Sequence, residues 1–304
     1  MHIELGVMFA GLLVGFVVGL TGMGGGALMT PVLVLLFRIN PLAAVSSDIA
    51  AAVVMKPVGG GVHLRRGTVN VNLVRWLAIG SVPAAFCGVF VLRAVGAPEF
   101  GDRLKILLGA VLLVAAAAIG AKSFLQSRRP AGGGIHAITV RPARTVLIGV
   151  IGGLVVGMTS VGSGSVMIVL LMLLYPALSS NELVGTDLVQ AIPLVLAAAI
   201  GHLFFGDLQL GLTLSLVLGS VPGVYLGARV SSRAPDRIIR PVLVAVLTVS
   251  ALALLGVPNE AILAIFGAAG LGALVTYAWR RATNDTWGEL TRDTYDESCR
   301  DVSA

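Results

Sequence analysis

Apolar residues run along this chain in long blocks, with polar positions gathered between them instead of alternating within them. The blocks fall at about 5–37, 41–64, 70–95 and 104–125, then at 144–175, 181–205, 208–230, 237–256 and 259–279. Blocks of twenty or more apolar residues predict helices that cross a bilayer. The first block of each set is too long for one crossing: some 33 residues of helix would extend about 50 Å against a hydrocarbon core of about 30 Å. Each is interrupted by small residues, Thr21-Gly22-Met23-Gly24-Gly25-Gly26 in one and Thr159-Ser160-Val161-Gly162-Ser163-Gly164-Ser165 in the other. The remainder after each break is about 11 residues, too short to span, so each block predicts a re-entrant hairpin that returns to its own side.

The two sets are copies. Gly15, Gly19, Thr21, Gly24 and Gly26 recur 138 residues later as Gly153, Gly157, Thr159, Gly162 and Gly164. After a one-residue insertion, His63, Gly67 and Gly80-Ser81-Val82-Pro83 recur 139 residues later as His202, Gly206 and Gly219-Ser220-Val221-Pro222. Duplicated membrane halves, each with a Gly-interrupted segment, are the sequence pattern of secondary transporters, and the interruptions point at the substrate site.

Positive charge decides between hairpins and simple crossings. With hairpins, each copy holds three crossings, so the second is inverted. If the Arg128-Arg129-Pro130 linker is cytosolic, fourteen Lys and Arg then fall inside and four (Arg38, Arg93, Arg103, Lys105) outside. Simple crossings would divide the same residues eight to ten, with no positive-inside bias. The expected fold is an all-α membrane protein: a polytopic helical bundle of two inverted repeats, each a Gly-broken re-entrant hairpin with three crossings, plus one C-terminal helix. The domains read as repeat 1 at 1–125, a cytoplasmic linker at 126–143, repeat 2 at 144–257, an additional transmembrane helix at 258–281 and a polar cytoplasmic tail at 282–304. The N-terminus is expected outside and the C-terminus in the cytoplasm, in a multi-pass protein of the cell (inner) membrane.

Composition agrees. With 57% apolar and 12% charged residues, the chain lacks the roughly one-quarter charged fraction of a soluble surface. The net charge of +6 is scattered over short loops, which reads as topology signalling and not as a nucleic-acid face. Cys87 and Cys299 lie in settings too different for a disulfide framework or metal cluster. No cleaved signal peptide is expected, because the N-terminal apolar stretch belongs to the repeat.

A glycine run that opens a helix leaves unpaired N–H groups at the positive end of the helix dipole, without Cβ atoms in the way, and such a tip binds anions. Candidate substrate-binding residues are therefore Thr21, Gly22, Gly24, Gly25, Gly26, Thr159, Ser160, Gly162, Ser163, Gly164 and Ser165, on two tips expected to meet near the midplane. The alternative is that these small residues only permit close helix packing. Asp48 and Asp187 occupy matched positions in Ser46-Ser47-Asp48 and Gly185-Thr186-Asp187; they read either as proton or cation coupling groups or as helix caps. Lys56 stands mid-segment before Pro57, and its repeat counterpart is Val195. It reads as the positive anchor for an anionic substrate, the alternative being an ion pair with Asp48. His63 and His202, at matching segment ends, read as packing or loop anchors.

The pattern Gly-x-x-x-Gly-x-x-Gly-x-Gly-Gly-Gly from Gly15, with Pro31, the motifs at 46–48 and 185–187, and the duplicated Gly-Ser-Val-Pro together resemble the sulfite exporter TauE/SafE family. The resemblance covers nearly all of the chain apart from the polar tail. It implies a cell-membrane transporter that exports sulfur-containing anions such as sulfite, sulfoacetate or other organosulfonates. The expected partners are a small anionic substrate and the lipid bilayer, with no nucleic acid, no cofactor and no metal.

Rival classes leave no trace in the sequence. No His-Glu-x-x-His or Cys-x-x-Cys occurs, and Val161 stands where a rhomboid-like Gly-x-Ser-Gly motif needs glycine. No strand precedes the glycine run, as a dinucleotide fingerprint requires. No Gly-Lys-Ser/Thr is present, so this chain does not drive itself with ATP. A passive anion channel is the nearer rival, and proton-dependent flux separates the two.

Overall fold

A computed structural model of the chain describes residues 4–21, 25–94, 100–127, 138–178, 180–230, 236–258, 260–262 and 264. Gly22 and Gly24, the Arg-Pro-Gly linker, most of the expected helix at 258–281 and the tail lie outside the described residues. Two compact units separate at Gly256. In the second, Ala261 and Ile262 donate their N–H groups to the Pro258 carbonyl, the first turn of a helix.

The first unit is all helical among the described residues: α1 (Leu5–Thr21), α2 (Gly26–Leu35), α3 (Pro41–Arg65), α4 (Val71–Ala94), α5 (Phe100–Ser127), α6 (Pro142–Thr159), α7 (Val166–Leu174), α8 (Ser180–Phe205), α9 (Leu210–Val230) and α10 (Asp236–Leu254). Both breaks fall where the glycine runs place them. α6 ends on Ser160 in the left-handed region at φ 59°, and Gly162 and Gly164 follow at φ 127° and 84°, conformations that glycine adopts without a Cβ clash. The arms that follow are 10 and 9 residues long.

Among the described residues six helices are long and apolar enough to cross a membrane: Pro41–Arg65, Val71–Val91, Asp102–Ala121, Pro142–Thr159, Glu182–Phe205 and Leu210–Gly227. Five of these match expected crossings. The sixth, α6, is the first arm of a broken block; its 18 residues extend about 27 Å, more than a half-depth arm needs. α10 instead opens with Asp236, Arg237 and Arg240, and its uninterrupted apolar run starts only after these.

Glycines bring main chains together in two matched sets. Gly149, Gly153 and Gly157 of α6 lie against the backbone of Leu77, Ser81 and Ala85 on α4, and Gly219, Gly223 and Gly227 of α9 lie against Met8, Leu12 and Phe16 on α1. In each set both helices advance by four residues together, so α6 runs parallel to α4, and α1 runs parallel to α9. Contacts of Asn70 with Thr186, Ser81 with Gln190 and Phe86 with Gly201 make α8 parallel to α4 as well. α3 and α8 are antiparallel, with Ser46 at His202 and His63 at Gly185.

α6 and α8, which precede and follow α7 in the chain, therefore point the same way. The block ends meet: Gly6 lies against the Phe37 ring, and the Tyr175 hydroxyl accepts from the Arg141 N–H at 2.8 Å and lies 2.6 Å from the Thr145 hydroxyl. Leucine, isoleucine and phenylalanine face outward, as at Phe9, Leu13, Ile79, Leu147, Leu203 and Phe204, while Asp48, Lys56, Asp187, Gln190 and His202 are buried within a largely apolar interior. Exposed apolar side chains suit a lipid surround, and buried ionisable ones are costly there.

Candidate functional site

The two breaks touch. Gly26, first residue of α2, stands directly against the carbonyl and hydroxyl of Ser160, at the end of α6. Only hydrogen fits at that Cα. Gly25 has more room, its side-chain position facing the end of Met55.

α3 passes both tips and holds the second at two points. The Ser160 hydroxyl donates to Asp48 Oδ2 at 2.7 Å, and Thr30 on α2 donates to the same oxygen at 3.1 Å. Eight residues on, Lys56 Nζ donates to the Ser163 hydroxyl at 2.8 Å. Lys56 is 5% exposed and is the one buried Lys or Arg among the described residues. The charged groups that act on it are Asp187 across the α3–α8 seam and Asp48 on its own helix, while its hydrogen bond goes to the second tip.

Helix capping does not account for the aspartates. The cap of α3 is Asn40, whose side chain accepts from the Leu42 N–H at 2.9 Å. Asp48 is two turns farther in and 1% exposed, and Asp187 stands equally deep in α8 at 0%. Within the second tip, Thr159 turns its hydroxyl back on the Val155 carbonyl at 2.7 Å and receives the Val161 N–H at 3.2 Å. It shapes the tip and is already occupied. Ser165 differs: its hydroxyl is buried and without a hydrogen-bond partner, so a donor is left at the start of α7. Gly162 and Gly164 carry the turn between them.

Polar nodes flank the tips at both ends of α3 and α8. At one, His202 lies 2.8 Å from both the Ser46 hydroxyl and the Gly157 carbonyl. A carbonyl only accepts, so in the neutral ring Nε2 carries the hydrogen and Nδ1 accepts from Ser46. Ser46 in turn receives the Asp207 N–H at 3.2 Å, and Ser47 receives that of Gln209 at 3.3 Å. At the other, His63 Nδ1 lies 2.9 Å from the Thr68 hydroxyl, and Asn70 donates its N–H to Thr186 at 3.1 Å. Each node ties the loop after one helix to the residues just before the aspartate of the other. Both histidines are loop anchors, as their segment-end positions suggest.

Thr30 and the Gln190–Ser81 pair went unnoticed in the sequence. A lone threonine in a short apolar arm carries no motif, and Gln190 has Ala51 as its repeat counterpart; polar divergence between copies was the available signal.

A family model described as "Sulfite exporter TauE/SafE" matches residues 7–254. The chain is 37% identical over 257 residues to the probable membrane transporter protein YjnA of Bacillus subtilis (strain 168), covering 83% of this chain and 100% of that protein. It is 26% identical over 237 residues to the probable membrane transporter protein YdhB of the same organism, covering 77% and 91%. No solved structure matches.

Proposed function

We propose a transport function from one premise: the chain belongs to the sulfite exporter TauE/SafE family. It is a secondary transporter that carries small sulfur-containing anions, sulfite or organosulfonates such as sulfoacetate, outward across the cell membrane, coupled to an ion gradient. The observation that carries this reading is Lys56: a buried ammonium, bonded to the tip hydroxyl of Ser163 at 2.8 Å. An ionisable side chain inside a membrane protein is costly, and as a rule it marks a substrate or ion path. The anion is bound between the two tips by Lys56, by Ser163 and Ser165, and by backbone N–H groups of the two glycine runs, Gly25 and Gly26 on one side and Gly162 to Gly164 on the other. Asp48 and Asp187 couple its movement to the driving ion.

The matched helix pairs, α4 with α6 and α9 with α1, together with the two broken blocks, support two inverted repeats with re-entrant hairpins. The fourteen-to-four charge partition supports an outer N-terminus and a cytoplasmic C-terminus. Sulfite flux from proteoliposomes, with proton and sodium gradients imposed separately, tests the function. We expect one gradient to drive uphill movement in the wild type and Lys56→Met to lose at least tenfold in rate. Downhill flux indifferent to either gradient would make the protein a channel.

A further inference from the structure

We infer that Asp48, cradled by Thr30 and Ser160, is a proton site that fills before the anion binds at Lys56, so that one proton travels with each anion. The inference deepens the proposed transport function and rests on it, because it names the coupling ion and its residue.

Charge is the first ground. Among the described residues, the charged groups that act on the ammonium are Asp187 on α8 and Asp48 on its own helix. Asp48 in turn faces Lys56 as its charged neighbour, with Thr30 reaching it from α2 and Ser160 from the second tip. With both carboxylates ionised the three groups sum to −1, and an anion entering a buried, low-dielectric cage of that charge is repelled. One added proton makes the cage neutral. The anion and the proton therefore favour each other's binding, and such coupling is reciprocal and typically worth about 5- to 150-fold in affinity.

Asp48 is a carboxylate joined directly to the second tip. Its Oδ2 accepts from the hydroxyls of Thr30 and Ser160 on two other elements; these donors favour the ionised form, so an arriving proton competes with them. Protonation turns it into a weaker, neutral acceptor. The bond from Ser160 is one of the two that tie the second tip to α3, the other being Lys56 to Ser163. A proton on Asp48 loosens the first tie, and an anion drawing on the Lys56 N–H donors loosens the second. The tip is freed when both ligands are present, which is the condition that prevents either from leaking alone. Net direction is then set by the product of the anion and proton gradients, and an anion accumulated inside leaves with its proton.

The experiment is sulfite binding to purified, full-length protein by calorimetry between pH 5 and 9, with the Asp48→Asn, Asp187→Asn, Ser160→Ala and Thr30→Val variants. All share the titration of sulfite itself, so ratios to wild type isolate the protein. Asp48→Asn should bind at pH 8 at least tenfold tighter than wild type and lose one proton from the pH slope; Asp187→Asn should keep that slope. Ser160→Ala and Thr30→Val, which remove one donor each from the carboxylate, should move the pH midpoint of binding upward. A purely structural role would instead scale affinity equally at every pH. Wild-type slope in Asp48→Asn overturns the inference while leaving the transport reading intact, and so does a slope lost in Asp187→Asn. A wild type that binds no sulfite at any pH overturns both.

Discussion

Gly26→Ala is the sharpest test of whether the tips must meet. A methyl carbon there would overlap the Ser160 main-chain carbonyl and lie 2.6 Å from its hydroxyl, whereas carbon needs about 3.5 Å from a non-bonded neighbour. The obstruction is backbone, so no rotamer change relieves it; the two tips must separate by about 1 Å or more. Ser160 donates to Asp48 at 2.7 Å, and a shift of that size carries the pair past the roughly 3.5 Å limit of a hydrogen bond. Losing a bond to a charged group costs about 1.5–3 kcal/mol. Replacing a helical glycine by alanine returns only about 0.4–1 kcal/mol. The balance is a closed site destabilised by about 1–2 kcal/mol, a factor of roughly 5 to 30 in its population.

Sulfite transport in proteoliposomes should fall by that factor in Gly26→Ala, while the protein still inserts and purifies. Gly61→Ala and Gly120→Ala serve as controls, because nothing lies within 4 Å of a Cβ at either position; both should transport normally. Gly149 is no such control: its Cβ would strike the Leu77 carbonyl on α4, so damage there reports helix packing. Wild-type transport in Gly26→Ala would refute the joint site, since the observed contact of the tips would then be dispensable.

Lys56, α3 and His202 each give a further test. Lys56→Met removes the one buried cation among the described residues and should weaken sulfite binding tenfold or more, measured by calorimetry; equal affinity would make the lysine structural. Single cysteines at positions 38 and 66 flank the 25-residue α3, about 37 Å long, and should label from opposite sides of the membrane; labelling from one side would sink the topology. His202→Leu breaks the bonds to Ser46 and Gly157 and should lower the detergent-solubilised melting temperature by several degrees, corresponding to about 1–3 kcal/mol. An unchanged melting temperature would show the node to be energetically idle.

The helices were legible because their cause is local: a block of apolar residues in lipid must satisfy its own backbone, and the glycine runs mark where it cannot. Both breaks therefore fell where the sequence placed them. What α6 does along its length was not legible, because its 18 residues owe their position to Gly149, Gly153 and Gly157 fitting the backbone of a helix sixty or more residues away. The aspartates show the same limit. A Ser-Ser-Asp run reads equally as a cap or a buried acid, and only the presence of Asn40 at the actual cap and of Ser160 across the fold separates the two.

Divergence between the copies proved more informative than their likeness. Glycines that repeat build the scaffold, since each packs the same helix pair twice. Lys56 against Val195, Ser163 against Gly25 and Ser165 against Ala27 are changes, and each puts a polar group in one copy only. A ligand seated between two equivalent tips needs no more than the shared backbone donors to be held. To be held in one orientation, it needs a difference between the halves. The cation comes from the first half and the hydroxyl that fixes it from the second, so neither copy alone supplies both members of that bond. That division gives a physical reason for the two halves to remain joined in one chain while their tips drift apart in sequence.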